Sequence, residues 1–236
     1  MRRLFGSINS LAIRRYYSNT TTQEVRSLFN LFPKSFPNNG PPRDSFLIDS
    51  RQLRREFRTL QSEHHPDIVM GSAALASEGK TQQNGIQNGV SDKYSALLNK
   101  AYSTLSNPYS RLAHFIELHH PEHLDISRDD TSKQLISHFQ GSSTSNANHY
   151  QEVLLVVLEA HETLEFASNE QDLEELEQEN DERISQGEHI VEKLLKEQHP
   201  PNWDLLMMEA IKLKYWMNIK TGIRDWEPGK PVQLTH

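Results

Sequence analysis

Three consecutive residues, His65-Pro66-Asp67, combine an imidazole, a rigid ring and a carboxylate at the point where a helical pattern stops. Proline cannot continue the hydrogen-bond ladder of a helix, and it biases the residue before it toward an extended conformation. The imidazole and the carboxylate are therefore expected on a stiff corner, where binding a partner would cost little conformational entropy. Such a corner is suited to recognition of another molecule. The alternative is that it does no more than end the helix.

The segment before this corner has the pattern of an amphipathic helix with one apolar and one cationic side. The apolar side recurs at spacings of four, three and four residues, through Leu53, Phe57, Leu60 and His64. The remaining surface carries a basic set, Arg51, Arg54, Arg55 and Arg58. Asp49 or Ser50 is expected to cap the helix. Because the whole chain has a net charge of −7, this local reversal of sign favours a docking surface over an ordinary solvated face.

The composition excludes several kinds of catalytic chemistry. The 236 residues include no cysteine, which removes disulfides, thiol nucleophiles and cysteine-held zinc or iron–sulfur sites. The run His119-His120-Pro121-Glu122-His123 suggests a metal site, but Pro121 prevents the continuous helix that would align His119 with His123. We therefore expect a surface cluster, with metal or hydrolytic chemistry as the alternative. Without a nucleotide-binding glycine loop or a nucleophile elbow, the sequence predicts neither an enzyme nor a bound cofactor.

The beginning of the chain differs from the rest in charge. Residues 1–23 contain four arginines and no acidic residue, which is the composition of a mitochondrial transit peptide. Arg15-Tyr16-Tyr17-Ser18 resembles a matrix-processing site, so residues 1–17 are expected to be removed and the protein to work in the mitochondrial matrix. Removing these four arginines from the 25 Lys and Arg leaves 21 against 32 Asp and Glu, a net charge near −11. A basic disordered tail is the alternative.

Four helical segments are predicted in the first half of the chain. Val25 to Phe32 forms a short apolar helix that ends at Pro33, and the basic helix follows. Residues 68–90, rich in Gly, Ser, Ala, Gln and Asn, are expected to form a flexible insertion. A third helix opens at Ser91 and has an apolar side made of Tyr94, Leu97, Leu98, Ala101, Tyr102 and Leu105. Residues 110–119 form a fourth. We expect the two long helices to pack as an antiparallel hairpin over the short one.

The second half is predicted to be a polar linker, residues 119–148, followed by three helices. Helices over 150–167, 173–194 and 203–226 should form an antiparallel bundle, the middle one through a near-heptad seam of Leu173, Leu176, Asn180, Ile184, Gly187, Val191 and Leu194. Leu154 and Leu158 lie beside the predicted core stripe of the first of these helices. The last helix has a second apolar stripe, made of Met208, Ile211 and Tyr215. This surplus favours an exposed patch for a partner over a wide core stripe.

The order of a short helix, a basic helix, His-Pro-Asp and an apolar helix resembles the J domain of J-type co-chaperones. Leu98-Asn99-Lys100-Ala101-Tyr102-Ser103-Thr104-Leu105, followed by Pro108, Arg111 and Phe115, is similar to HscB and its mitochondrial counterparts, which serve iron–sulfur cluster biogenesis. Residues 154–164 and 212–215 are similar to the scaffold-binding bundle of that family. The resemblance implies an all-α fold, with a J domain over 24–118, a linker over 119–148 and an antiparallel three-helix bundle over 149–226.

The same resemblance implies a co-chaperone with two binding ends and no catalysis of its own. It would stimulate the ATPase of a mitochondrial DnaK-class chaperone and deliver the iron–sulfur cluster scaffold protein to it, promoting cluster transfer. At the chaperone end, the trigger would be His65, Pro66 and Asp67, and the docking face would be Arg51, Arg54, Arg55 and Arg58. At the scaffold end, the contact residues would be Leu154, Leu158, Glu159, His161, Glu162 and Tyr215.

One alternative within the same class stays open. It is a general J-domain co-chaperone for mitochondrial protein import or folding, in which the bundle serves oligomerisation. Capture of the scaffold protein separates the two hypotheses. Because no stretch approaches the ~20 apolar residues of a membrane span, we expect no membrane partner. We also expect no nucleic-acid partner, no cofactor and no metal.

Overall fold

The computed structural model describes residues 27–64, 84–142, 144–197 and 200–230, and these residues form seven α-helices and no β-strand. In chain order the helices are α1 (Ser50–His64), α2 (Asn84–Ser106), α3 (Pro108–His119), α4 (Asp129–Ser142), α5 (Thr144–Phe166), α6 (Glu174–Glu197) and α7 (Trp203–Arg224). Two 3-10 turns, Leu28–Leu31 and Glu170–Leu173, precede α1 and α6. The predicted all-α class is confirmed. Of the described helices, none is long and apolar enough to cross a membrane.

The start of α1 is fixed by a side-chain cap, as the sequence predicts. The Asp49 carboxylate accepts hydrogen bonds from the backbone N–H groups of Arg51 (2.8 Å) and Gln52 (3.2 Å). These donors have no partner within the helix, so the cap satisfies them. Leu53 is fully buried on the apolar side, and the helix continues to His64.

The hairpin of α1 and α2 is antiparallel, as predicted. The rings of Phe57 and Tyr102 stack with their centroids 4.3 Å apart, and Gln61 donates a hydrogen bond to Asn99 (2.9 Å). The later residue of α1 thus contacts the earlier residue of α2, so the two helices run in opposite directions. Of the predicted short apolar helix, the described residues form one 3-10 turn, Leu28–Leu31, which stops shortly before Pro33. Phe29 of this turn, with Phe32 and Phe36 after it, shares one buried cluster with the α2 residues Leu98, Ala101 and Leu105.

Two details of α2 differ from the prediction. The helix begins at Asn84, seven residues before the predicted start at Ser91, and so includes the end of the predicted flexible insertion. Once a helix is nucleated by the packed residues downstream, it propagates through a segment that contains no proline. The second difference is Leu97, which is 38% exposed although it was assigned to the apolar side. The rest of the insertion, like the predicted transit peptide, lies outside the described residues.

The largest correction concerns the predicted linker, because half of residues 119–148 forms α4. Its buried side chains follow the spacing of one helical face, with Ser132 and Phe139 buried and Leu135 and Ile136 partly buried. Ser132 also accepts a hydrogen bond from the Lys214 ammonium group of α7 (3.2 Å). The bundle therefore has four helices, α4 to α7, where three were predicted. Helix α4 was not predicted because its apolar stripe is short and is surrounded by polar residues.

The α6 seam follows the prediction over four turns and then departs from it. Leu176, Asn180, Ile184, Gly187 and Val191 are buried, but the next buried leucine is Leu195, and Leu194 is only partly buried. A straight helix has 3.6 residues per turn, so a strict heptad pattern drifts away from the core. Gly187 allows a close approach of α6 to α7, since a Cβ atom there would lie 3.0 Å from Leu213 Cδ2.

The loop before α1 connects the hairpin to the bundle through Phe46. This ring is fully buried and belongs to the same core cluster as the bundle side chains. Glu192 of α6 accepts hydrogen bonds from the Phe46 N–H (2.6 Å) and the Ser45 hydroxyl (3.0 Å). The loop is therefore held to the bundle by an apolar side chain and by a carboxylate.

Arg111 of α3 completes this junction. It is fully buried, and its guanidinium carbon lies 4.5 Å from the centroid of the Phe46 ring. The guanidinium donates hydrogen bonds to the Leu105 carbonyl at the end of α2 (2.7 Å) and to the Glu188 carboxylate of α6. One cation thus contacts the hairpin, the connecting loop and the bundle.

We predict that this junction loses stability in acid through Glu192. Desolvation would raise the pKa of its carboxyl, but hydrogen bonds from Lys196, the Phe46 N–H and Ser45 together hold that pKa below its ordinary value. The stabilisation is therefore present above the ordinary pKa and is lost as the pH falls through the lower folded-state pKa. Glu192→Gln should lower the free energy of unfolding at pH 7 by about 1–3 kcal/mol.

Urea unfolding of both proteins between about pH 3 and 7 measures this effect, and the difference between them should shrink at the acid end. Glu197→Gln, an exposed position on the same helix, is the control and should match the parent protein throughout. A Glu192→Gln difference that is constant with pH would contradict the assignment.

Candidate protein-docking sites

The basic face of α1 is open to solvent. All four predicted docking residues are exposed, namely Arg51, Arg54, Arg55 and Arg58. The Asp49 cap and the buried Leu53 fix the first turns of the helix, and the stack of Phe57 on Tyr102 fixes its orientation on α2. These contacts use the apolar side of α1, so the cationic side is left free to meet a partner.

Glu56, one of the two carboxylates of α1, faces away from this surface. It is buried and accepts hydrogen bonds from the backbone N–H groups of Lys34 (2.8 Å) and Ser35 (2.9 Å) and from the Ser35 hydroxyl (2.7 Å). Its charge is therefore stabilised internally. Its burial is consistent with the helical spacing, because position 56 lies three residues after Leu53 and four before Leu60, on the apolar side.

The predicted trigger residues, His65, Pro66 and Asp67, lie outside the described residues. The helix that leads to them is described as far as His64, the residue before this tripeptide. Their assignment to an ATPase trigger stays a prediction.

Five of the six predicted scaffold-binding residues lie on α5, four of them on one stripe. Leu158 is 60% exposed, Leu154 is partly buried, and Glu159 and Glu162 are exposed. The His161 ring approaches the carboxylate of Glu165 at 3.8 Å. Positions 154, 158, 161 and 162 follow the spacing of neighbours on a helix surface. The arrangement gives an apolar centre with negative charge beside it.

Tyr215, the sixth, lies elsewhere and is only 7% exposed. The exposed second stripe predicted on α7 is wrong, because Met208 and Ile211 are buried as well. Residues 206–211 are buried without interruption, so this part of α7 is enclosed on all sides. The wide core stripe, the alternative left open by the sequence, is what the structure shows. Helices α3, α5 and α6 all pack against α7 and account for this burial.

Two exposed apolar residues of α5 were not singled out from the sequence. Leu155 is 60% exposed and Phe166 is 80% exposed. Leu155 lies three residues before Leu158 and next to it on the helix surface. A count of apolar residues beyond the core stripe of α5 would have identified Leu155, whereas Phe166 at the last turn gave no such signal.

The histidine cluster at the end of α3 serves local packing. His119 stacks on Phe115 with centroids 4.4 Å apart, and His120 meets the Trp203 ring edge to face at 5.0 Å. Burial lowers the pKa of His120, which favours its neutral form. Across the part of the chain that the structure describes, no three His, Cys, Asp or Glu side chains are grouped to hold a metal ion.

Comparisons with known proteins decide the family. Residues 149–224 match the model described as the HSCB C-terminal oligomerisation domain. The mitochondrial J-type co-chaperone JAC1 of Saccharomyces cerevisiae is 30% identical over 210 residues, which cover 89% of this chain and 94% of the yeast protein. The chain is a fungal-type member of the HscB family of J-type co-chaperones.

Further relatives support the fold of this HscB-family protein. A solved structure of the Jac1 co-chaperone from Saccharomyces cerevisiae aligns with a TM-score of 0.57 and 25% identity, over 86% of this chain and 98% of the yeast chain. The human iron–sulfur cluster co-chaperone protein HscB is 32% identical over 88 residues, which are 36% of this chain and 33% of the human protein. The family-model match begins within α5, so it does not include α4.

Proposed function

We propose that this HscB-family protein stimulates the ATPase of a mitochondrial DnaK-class chaperone and delivers the iron–sulfur cluster scaffold protein to it, promoting cluster transfer. The observation that carries the proposal is the pair of separate surfaces, the basic face of α1 and the exposed face of α5 around Leu158. The protein works as an adaptor in the mitochondrial matrix, and it catalyses no covalent step itself.

The proposed division of the chain follows these two surfaces. Residues 1–17 are a transit peptide, and residues 24–118 are the J domain that meets the chaperone. We assign α4 to the scaffold-binding bundle together with residues 149–226, because its buried side chains belong to the bundle core. What remains of the linker is the short segment between α3 and α4.

At the chaperone end, electrostatics supports docking through α1. The arginines are exposed, Glu56 is buried, and the chain as a whole is acidic. An acidic surface on the chaperone would be attracted to this basic face. It would be repelled by most of the remaining surface of this acidic protein. Complementary charge of this kind raises the association rate and fixes the orientation, and salt weakens it. The His65-Pro66-Asp67 turn at the end of α1 would then reach the ATPase.

At the scaffold end, α5 has the features of a small interface. An exposed apolar side chain provides the anchor, because burying it against a partner removes apolar surface from water. The carboxylates of Glu159 and Glu162 surround it and favour a partner with basic groups at the matching positions. The partner class that fits is a protein with an apolar pocket and a basic rim.

A second candidate function for the bundle is association of the chain with itself. The description of the family model, an oligomerisation domain, favours it, and the exposed Leu155 and Leu158 could form such a contact. Analytical ultracentrifugation without partners tests this candidate. A dimer that dissociates on Leu158→Ala would support it, and a monomer at all concentrations would exclude it.

We predict that reversing charge on α1 slows docking to the chaperone. Arg54→Glu combined with Arg58→Glu should reduce the association rate about tenfold at low salt, because steering by the basic face is lost. Stopped-flow or surface-plasmon measurements at two salt concentrations provide the test. Arg128→Glu with Lys133→Glu makes the same change in charge at exposed positions near α4 and should leave the rate nearly unchanged. Equal effects of the two pairs would rule out a specific docking face.

Asp67→Ala is predicted to abolish stimulation of the chaperone ATPase, because it removes the carboxylate of the proposed trigger. Scaffold binding and the circular-dichroism spectrum should not change, since the bundle is untouched. Single-turnover ATP hydrolysis by the chaperone, with and without the variant, measures the effect. Asp130→Ala, an exposed acidic position on α4, is the control. Full stimulation by Asp67→Ala would remove the trigger assignment.

For the scaffold end, we predict that Leu158→Ala weakens binding by about 2 kcal/mol in free energy, as expected for a central interface residue. Because Leu158 is largely exposed in the free protein, the change should not reduce stability appreciably. Isothermal titration calorimetry with the scaffold protein gives the affinity. Leu205→Ala, which truncates a leucine that is 44% exposed at the start of α7, is the matched control. Unchanged affinity of the Leu158 variant would show that α5 is not the contact.

A further inference from the structure

Two tyrosines join α5 to α7 behind the scaffold-binding surface. The hydroxyl oxygens of Tyr150 and Tyr215 are 3.2 Å apart, and the two residues are 5% and 7% exposed. Burial and this hydrogen bond raise the pKa of Tyr150, so the hydroxyl stays protonated. Each hydroxyl therefore finds its partner inside the protein, as buried polar groups require.

Tyr150 lies on the stripe of α5 that becomes the exposed face. Residues four apart on a helix are displaced by about 40° around its axis. Along Tyr150, Leu154 and Leu158, the exposure accordingly rises from 5% through partial burial to 60%. Each residue of this stripe, one helical turn after the last, is therefore more exposed than the one before it. The depth at which Tyr150 is held therefore determines how far Leu154 projects toward a partner.

Resting on the function proposed above, we propose that Tyr215 is a positioning residue of the scaffold-binding surface, and that Tyr150 is its partner in this role. Tyr215 offers almost no surface for direct contact. Its hydroxyl is already bonded to the buried hydroxyl of Tyr150 inside the protein. Through the hydroxyl pair, Tyr215 instead fixes the first turns of α5 and the position of Leu154.

Hydroxyl deletions that keep the rings test this role. Tyr150→Phe and Tyr215→Phe should each weaken scaffold affinity about fivefold, the effect of one net hydrogen bond. The double variant should show the same fivefold loss, because each single change already breaks the bond. Tyr109→Phe is the control, since it deletes a tyrosine hydrogen bond to the Ile126 carbonyl (3.1 Å) away from α5. It should leave the affinity unchanged.

The pattern of results distinguishes positioning from contact. Loss of affinity with Tyr215→Phe alone would identify Tyr215 as a contact residue and overturn the proposal. Additive losses in the double variant, or no loss in either single variant, would overturn it as well.

A measurement without the scaffold separates this inference from the proposed function. The methyl NMR signals of Leu154 should shift in both Phe variants and stay in place with Tyr109→Phe. Unchanged Leu154 signals in the α5 and α7 variants would overturn the positioning role whether or not the scaffold protein binds.

Discussion

A buried cation with partners from three segments holds this protein together as one body. The Arg111 guanidinium is fully buried, packs on Phe46 and bonds to the end of α2 and to Glu188 of α6. If the end of α2 or Glu188 moved away, the buried guanidinium would lose a hydrogen-bond acceptor in a poorly solvated environment. Partial opening of the junction is therefore unfavourable. The junction therefore links the hairpin of α1 and α2 to the bundle that contains α5.

The loop before α1 is held by two carboxylates, one from each half of the molecule. Glu56 of α1 accepts hydrogen bonds from Lys34 and Ser35 at the beginning of the loop. Glu192 of α6 accepts them from Ser45 and Phe46 near its end. Backbone N–H groups of an irregular segment need such acceptors where it is buried. Two acidic residues of an acidic chain therefore have structural roles, and neither reduces the positive charge on the surface of α1.

The bundle has apolar residues both in its core and on its exposed surface. Helices α3, α5 and α6 pack against α7, so its second apolar stripe belongs to the core. Three of the large apolar residues that remain exposed lie on α5, namely Leu155, Leu158 and Phe166. Tyr215 belongs to the enclosed set, and its link to Tyr150 connects the core to the α5 surface. One hydrogen bond thus connects the sixth predicted contact residue to α5, the helix that carries the other five.

The sequence alone determined the features that depend on neighbours along the chain. Helix spacing and proline positions were sufficient for α1, its Asp49 cap, the α1–α2 hairpin and the α6 seam as far as Val191. Tertiary structure decided the features that depend on distant residues. Whether a polar segment such as 129–142 folds depends on the surface it can cover, and whether Tyr215 is exposed depends on which helices surround α7. The roles of Glu56, Glu192 and Arg111 were equally hidden, because a charged residue becomes structural only when folding brings it a partner from far away in the chain.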